Sequence, residues 1–209
     1  MEKEIIISSH WGVNIKNEYI SQNKDTLVIL LPGGKYTNFA PLLYYSYNIS
    51  LELGYDVLAI NYGFQKSDKD IEFNETTYSH IIKETKEAIK KCLNEKTYKK
   101  IIFIGKCLGT FIQNALICEF KDYELKHVFM TPWPDCIEGI INNNSLVIVG
   151  TNDICFKQEH INKIANKSNV IVKIIEDANH DLEKENYKDS LKVLMKVTEY
   201  IYEFIDDRL

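Results

Sequence analysis

The sequence has 209 residues, of which 45% are hydrophobic and 26% charged. This composition is typical of one globular domain, here residues 1–209, and excludes disordered or fibrous chains. The formal net charge of -5 leaves no basic surplus, so we expect neither nucleic acid nor a membrane surface as a partner.

The N-terminal segment and the cysteines indicate a cytoplasmic protein. The segment MEKEIIISSHWG is acidic and does not resemble a secretory signal, and the longest apolar run, residues 27–31, is too short to cross a bilayer. Five cysteines without a CxxC pair are typical of reduced thiols rather than a zinc site. We therefore expect no metal or other cofactor.

Short apolar, β-branched runs alternate with stretches of helical spacing along the whole chain. The predicted strands are residues 4–8, 18–21, 26–31, 56–60, 100–104, 126–130, 146–149 and 170–175. The predicted helices are residues 39–53, 75–93, 108–120, 157–166 and 182–205. This alternation predicts an α/β fold with a mostly parallel sheet of about eight strands and helices on both faces.

The pattern GKCLG at residues 105–109 lies between a predicted strand and a predicted helix. It is the GxSxG nucleophile-elbow pattern with cysteine in the place of serine, so Cys107 is the candidate nucleophile. The following amide, the N–H of Leu108, is one candidate oxyanion donor. The alternative is a small buried thiol in a glycine-containing turn. The other four cysteines are expected to pack in the interior.

Two more candidates follow later strands. Asp153 ends the turn GTND after the strand at 146–149, and His180 ends DANH after the strand at 170–175. Nucleophile, acid and histidine in this chain order predict a catalytic triad. Asp135 is a rival acid, although Pro132 and Pro134 displace it from its strand end.

The segment PGGKYT, residues 32–37, follows the strand at 26–31. Gly34 or Lys35 is predicted to supply the second backbone donor of the oxyanion hole. A plain glycine turn explains the segment equally well. Tyr36 and Trp133 are candidate substrate-binding residues at the mouth of the pocket, or else members of the core.

Together these residues resemble the α/β-hydrolase superfamily over residues 26–205. The GKCLG elbow is similar to that of the dienelactone hydrolase group, whose Cys–Asp–His triad corresponds to Cys107, Asp153 and His180. The PGGKYT and GKCLGT segments also resemble uncharacterised bacterial α/β hydrolases, in which serine usually occupies the elbow. The dienelactone enzymes carry an acidic residue in the oxyanion-side loop, whereas this loop reads GGKY. The segment at 131–144 leaves room for one short helix, so no substantial cap domain is expected.

The resemblance implies a hydrolase that acts on a small-molecule ester, thioester or lactone through an acyl-cysteine. An acyltransferase or peptidase on the same scaffold, or a catalytically idle binding or sensing protein, is the alternative. The chain is expected to act as a monomer or homodimer.

Overall fold

A computed structural model describes residues 1–67 and 70–209, and these residues form one eight-stranded sheet. The strands are β1 (Glu2–Ser8), β2 (Asn14–Ile20), β3 (Thr26–Leu31), β4 (Asp56–Ala59), β5 (Lys100–Lys106), β6 (Glu124–Met130), β7 (Ser145–Gly150) and β8 (Val170–Ile175). Their order is β1-β2-β4-β3-β5-β6-β7-β8. Strand β2 pairs antiparallel with β1 and β4, and the other neighbours are parallel. The predicted architecture is confirmed.

Burial on both faces explains why the central strands were visible as apolar runs. Every residue of β3 and β7 is buried, as expected for parallel strands covered by helices on both sides. By contrast, β2 alternates buried and exposed residues and begins at Asn14, earlier than the predicted start at residue 18. Its polar side chains conceal the strand, because even the buried Asn17 is an amide, which donates to the carbonyl of Ile5.

The described helices are α1 (Pro41–Glu52), α2 (Glu75–Leu93), α3 (Leu108–Leu116), α4 (Ile137–Ile141), α5 (Gln158–Ile164) and α6 (Tyr187–Ile205), with 3₁₀ helices at Gly63–Lys66, Ile117–Phe120 and Pro134–Cys136. Helices α1 and α6 pack on one face of the sheet, and α2 and α3 pack on the other. Helices α4 and α5 cover the β6 and β7 end of the second face. No helix of the described segments is both long and apolar enough to span a membrane.

The predicted start of the last helix, residue 182, is wrong. Leu182 has a positive φ of 58°, which is incompatible with a right-handed helix. Helix α6 begins at Tyr187, where the side chain of Asn186 caps it by accepting a hydrogen bond from the N–H of Asp189. A loop of residues 176–186 therefore separates β8 from α6, and this loop carries His180.

Candidate active site

Cys107 occupies a strained turn between β5 and α3. Its φ of 52° and ψ of -114° lie outside the regions that ordinary residues favour. The neighbouring glycines are required by close approach: a Cβ on Gly105 would lie 2.6 Å from Gln113 Oε1, and one on Gly109 would lie 2.0 Å from the carbonyl oxygen of Leu31. Strand, turn and helix together present the thiol at the carboxyl edge of the sheet, as the elbow pattern predicts.

The structure brings Cys107, His180 and Asp153 together. His180 Nδ1 lies 2.9 Å from Asp153 Oδ1 and 3.0 Å from Asp153 Oδ2. The same imidazole lies close enough to the Cys107 thiol for each group to shift the pKa of the other. Asp153 is only 4% exposed. The rival acid, Asp135, is exposed in the 3₁₀ helix Pro134–Cys136, and His180 pairs with Asp153 instead.

The surroundings of Cys107 favour the thiolate. Burial alone would raise the pKa of the Cys107 thiol, but hydrogen bonding to His180 and the positive charges of His180 and Lys106 outweigh it, so the pKa is lowered. The side chain of Trp133 adds a hydrogen bond to the sulfur. Because an indole N–H can only donate, this contact also stabilises the negative charge.

The pKa values of the other two residues of the predicted triad, Asp153 and His180, shift in opposite directions. Hydrogen bonds from His180 and from the backbone of Cys155 and Phe156 overcome burial and lower the pKa of Asp153. The hydrogen bond to Asp153, followed by that to Cys107, raises the pKa of His180 to about 9. These shifts together favour a thiolate beside an imidazolium, which a carboxylate orients.

A cavity of ≈ 210 Å³ opens directly at the sulfur. Its lining is mostly aromatic and apolar, and consists of Gly34, Phe73, Tyr78, Cys107, Leu108 and Trp133. The rings of Tyr78 and Trp133 meet edge to face with centroids 5.8 Å apart. Sequence reasoning found Trp133 but missed Phe73 and Tyr78, whose only signal was aromatic spacing at the start of a helix.

The predicted oxyanion donors lie at this cavity or next to it. Leu108 is the first residue of α3, so its N–H has no acceptor within the helix. In the loop after β3, the N–H of Gly33 donates to the carbonyl of Tyr36 at 2.8 Å. Gly34 and Lys35 therefore remain the candidates on that side, with Gly34 lining the cavity and the Lys35 side chain exposed.

Tyr36 lines a different cavity. Its hydroxyl accepts a hydrogen bond from the N–H of Leu42 at 2.9 Å. Its ring forms one wall of a neighbouring space of ≈ 400 Å³ that Asp181 and Leu182 also line. Burial raises the pKa of Tyr36 to about 12, so its phenol stays neutral. The structure thus places Tyr36 beside the loop that carries His180, outside the cavity at the sulfur.

One group of side chains in the described parts of the chain has the donor set for a metal ion: Asp153, Cys155 and His180, with ligand atoms within 4.8 Å of one another. These donors already serve each other, because both carboxylate oxygens face His180 Nδ1 and Asp153 Oδ1 also accepts the N–H of Cys155 at 2.8 Å. Asp153 and His180 of this group are thus already paired with each other.

The remaining cysteines differ in their surroundings. Cys92 and Cys136 are buried, as expected of packing residues. Cys118 is exposed, so the expectation that it packs is wrong, because it lies in the 3₁₀ helix Ile117–Phe120, where only Phe120 is buried. Cys155 is half-buried beside Asp153, and burial raises the pKa of its thiol. Burial also raises the pKa of Cys92 and Cys136, whereas the pKa of Cys107 is lowered.

The sequence matches no protein-family model and no curated protein. Solved structures are similar over almost the full chain. A protein of unknown function from Agrobacterium tumefaciens has a TM-score of 0.75 at 16% identity, covering 99% of this chain and 98% of that one. The esterase Pf2001 from Pyrococcus furiosus has a TM-score of 0.71 at 18% identity, covering 99% and 92%. XC6422 from Xanthomonas campestris, an α/β serine hydrolase without lid, has a TM-score of 0.71 at 10% identity, covering 100% and 95%.

At such low identity these likenesses establish the fold alone. Together with the strand order, they show that the chain has the α/β-hydrolase fold, as the elbow and the order of the triad residues predict.

Proposed function

We propose that this protein is a hydrolase that cleaves a carboxylic ester, thioester or lactone through an acyl-cysteine intermediate on Cys107. The observation that carries the proposal is one imidazole, His180, which is hydrogen-bonded to the buried carboxylate of Asp153 and interacts with the strained elbow thiol. Nucleophile, base and orienting acid are thus in contact in the order that acyl transfer requires.

In the first step the Cys107 thiolate attacks the substrate carbonyl. The developing oxyanion accepts hydrogen bonds from the N–H of Leu108 and from the N–H of Gly34 or Lys35. Because Nδ1 of His180 faces Asp153, the opposite nitrogen, Nε2, is the one available for proton transfer at the sulfur and the leaving group. As the carbon–leaving-group bond breaks, Nε2 gives its proton to the departing oxygen or sulfur, and the acyl group remains on Cys107.

In the second step a water molecule replaces the leaving group. His180, now neutral, takes a proton from the water, and the resulting hydroxide adds to the thioester carbonyl. Collapse of this intermediate releases the carboxylic acid and restores the thiolate and the imidazolium. His180 makes both proton transfers and backbone amides stabilise the oxyanion, so the scheme calls for no metal or organic cofactor.

The cavity at the sulfur restricts the acyl group. With ≈ 210 Å³ and aromatic walls of Phe73, Tyr78 and Trp133, it suits a short aliphatic or a single-ring acyl group better than a long chain. Five cysteines that form no disulfide are typical of a reducing compartment, so we place the enzyme in the cytoplasm.

Hydrolysis of p-nitrophenyl acetate tests the proposal, with intact mass measured after rapid acid quench. Wild-type protein should turn over the ester and gain one acetyl group, whereas Cys107→Ala and His180→Ala should lose both signals. Cys118→Ser is the matched control, because it removes an exposed thiol outside the site. Equal turnover in wild type and both active-site variants would refute the mechanism and leave the idle binding protein as the better interpretation.

A further inference from the structure

Lys106 is the most unusual residue of the site that the proposed mechanism does not use. It is the last residue of β5, directly before Cys107, and its side chain is fully buried. Lysine is almost never fully buried unless its charge is paired. A buried ammonium beside the nucleophile therefore calls for a physical reason.

The contacts of Lys106 suit an ammonium. Nζ donates to Thr131 Oγ1 at 2.7 Å and to the carbonyl oxygen of His180 at 2.8 Å, and it lies 3.5 Å from Asp181 Oδ1. Three oxygen acceptors match the three N–H donors of an ammonium, whereas a neutral amine has one donor fewer. The ring of Tyr36 lies 5.3 Å from Nζ and covers a further side.

These partners belong to separate loops of the site. Thr131 follows β6 and has a positive φ of 46°, His180 and Asp181 lie in the loop after β8, and Tyr36 lies in the loop after β3. One ammonium on the elbow strand therefore links the nucleophile to the loop of the base through the His180 backbone. This hydrogen bond goes to the backbone of the loop, whereas Cys107 interacts with the ring of His180.

The same charge acts on both reacting groups. It lowers the pKa of Cys107 by favouring the thiolate, and it opposes the imidazolium of His180. Burial in turn lowers the pKa of Lys106, and the charges of Cys107 and Asp181 oppose that shift. A cation in this place therefore favours the two forms that catalysis uses, the thiolate for attack and the neutral imidazole for activating water.

We propose that Lys106 is a positioning residue of the Cys107–His180 pair: its ammonium fixes the backbone of the His180 loop and supplies positive charge to the thiolate. The inference rests on the proposed function, because it assigns a role within the same site. Removing the charge should make both the sulfur and the imidazole harder to deprotonate, so the pKa of Cys107 and the pKa of His180 should both rise.

Other titratable groups also face the Cys107–His180 pair, and none of them is substituted in the test. They are the carboxylates of Asp153 and Asp181, the thiol of Cys155 and the phenols of Tyr36, Tyr62 and Tyr78. Burial raises the pKa of each of these phenols, so none carries charge in the range of the experiment. Changes that follow substitution of Lys106 can thus be assigned to its own charge.

The test measures two pKa values in Lys106→Met, Lys106→Gln and Lys106→Arg. Peptide mass spectrometry follows the rate at which iodoacetamide modifies Cys107 at each pH. The dependence of this rate on pH gives the pKa of the thiol. NMR titration of the His180 ring gives the pKa of the imidazole, and the His180→Gln variant identifies the ring signal. Loss of the charge in the Met and Gln variants should raise both values by about one unit. The Arg variant keeps the charge and should keep both values near those of wild type.

A purely structural role gives a different result. If Lys106 only ordered the loop, His180 would separate from its partners in the Met and Gln variants, so the thiol value would rise while the imidazole value fell toward that of free histidine. That outcome, or no shift in either value, would overturn the proposal. If the uncharged variants do not fold, Lys106→Arg still tests the proposal. If the pKa values of Cys107 and His180 in that variant equal those of a free thiol and a free imidazole, the proposal is also overturned. If wild-type Cys107 has no preferential reactivity, it is the proposed function that fails.

Discussion

The two halves of the candidate site are held by different kinds of force. The elbow that carries Cys107 is fixed by steric contact, because Gly105 and Gly109 lie too close to neighbouring atoms to accept a Cβ. The loop that carries His180 is irregular, with positive φ at Asp177 and Leu182, and polar contacts hold it. The nucleophile is thus positioned by close backbone packing around the elbow, and the base by hydrogen bonds within its loop and from other segments.

The hydrogen bonds of the His180 loop come from several directions. Asn179 Oδ1 accepts the N–H groups of Asp181 at 2.9 Å and Glu183 at 3.0 Å. Thr151 Oγ1 accepts the N–H of Asp177 at 2.8 Å. Lys106 donates to the carbonyl of His180 from the elbow side. Substitution in the elbow should therefore threaten the whole fold, whereas substitution in the loop should reduce activity more than stability.

The largest effect is expected from Gly109→Ala. A Cβ there would lie 2.0 Å from the carbonyl oxygen of Leu31, and backbone can yield only by moving β3 or α3. We expect a loss of about 3 kcal/mol in the free energy of unfolding by urea, together with loss of esterase activity. Gly12→Ala is the control, because its φ is +81° but nothing lies within 4 Å of the added carbon. It should cost about 1 kcal/mol from backbone strain alone. Equal losses in the two variants would show that steric contact does not hold the elbow.

Asp153→Asn should mainly affect catalysis. An amide is neutral and does not stabilise the imidazolium of His180 as a carboxylate does. The pKa of His180 should therefore fall from about 9, and the thiolate should lose the positive charge beside it. We expect kcat for p-nitrophenyl acetate to fall by about 10³-fold or more. Asp135→Asn, at the exposed rival acid, should leave kcat unchanged. A large fall in the second variant alone would make Asp135 the triad acid.

A smaller effect is expected from Asn179→Ala in the His180 loop. Two backbone N–H groups lose their acceptor, so the loop should open more readily and kcat should fall about tenfold while KM changes little. Asn179→Asp keeps an acceptor oxygen in the same position and should retain most of the activity. Hydrogen exchange of the amides of Asp181 and Glu183 provides the second measurement. If exchange in Asn179→Ala is as slow as in wild type, the side chain does not hold the loop.

This difference between the halves also explains what the sequence could and could not predict. The elbow is a short local motif whose glycines report steric limits, so GKCLG was sufficient to place Cys107. Asp153 and His180 were found from their order along the chain and their position after strands. The burial of Lys106 could not be predicted, because lysine is normally exposed and its partners, Thr131 and His180, are far away in sequence.

The walls of the cavity were missed for a related reason. Tyr78 lies on α2, where aromatic spacing predicts a face packed on the sheet equally well, and Phe73 lies before that helix. The late start of α6 was missed because Leu182 continues the apolar spacing, and only its positive φ shows that the chain is still a loop. Tertiary contacts decide these features, and the pattern of one segment does not contain them.

The smallest expected effect concerns Trp133, which touches the elbow half of the site through its indole N–H. Phenylalanine keeps an aromatic wall but has no donor, so Trp133→Phe should raise the pKa of the Cys107 thiol by about half a unit toward its ordinary value. Because the thiolate is the reactive form, alkylation should slow about threefold on the acid side of the pH curve and remain unchanged above the thiol pKa. Trp11→Phe, at the other tryptophan, removes an indole with no hydrogen bond to the site and should leave the curve unmoved. A uniform slowing at every pH in Trp133→Phe would instead mean that the ring controls access to the sulfur rather than its charge.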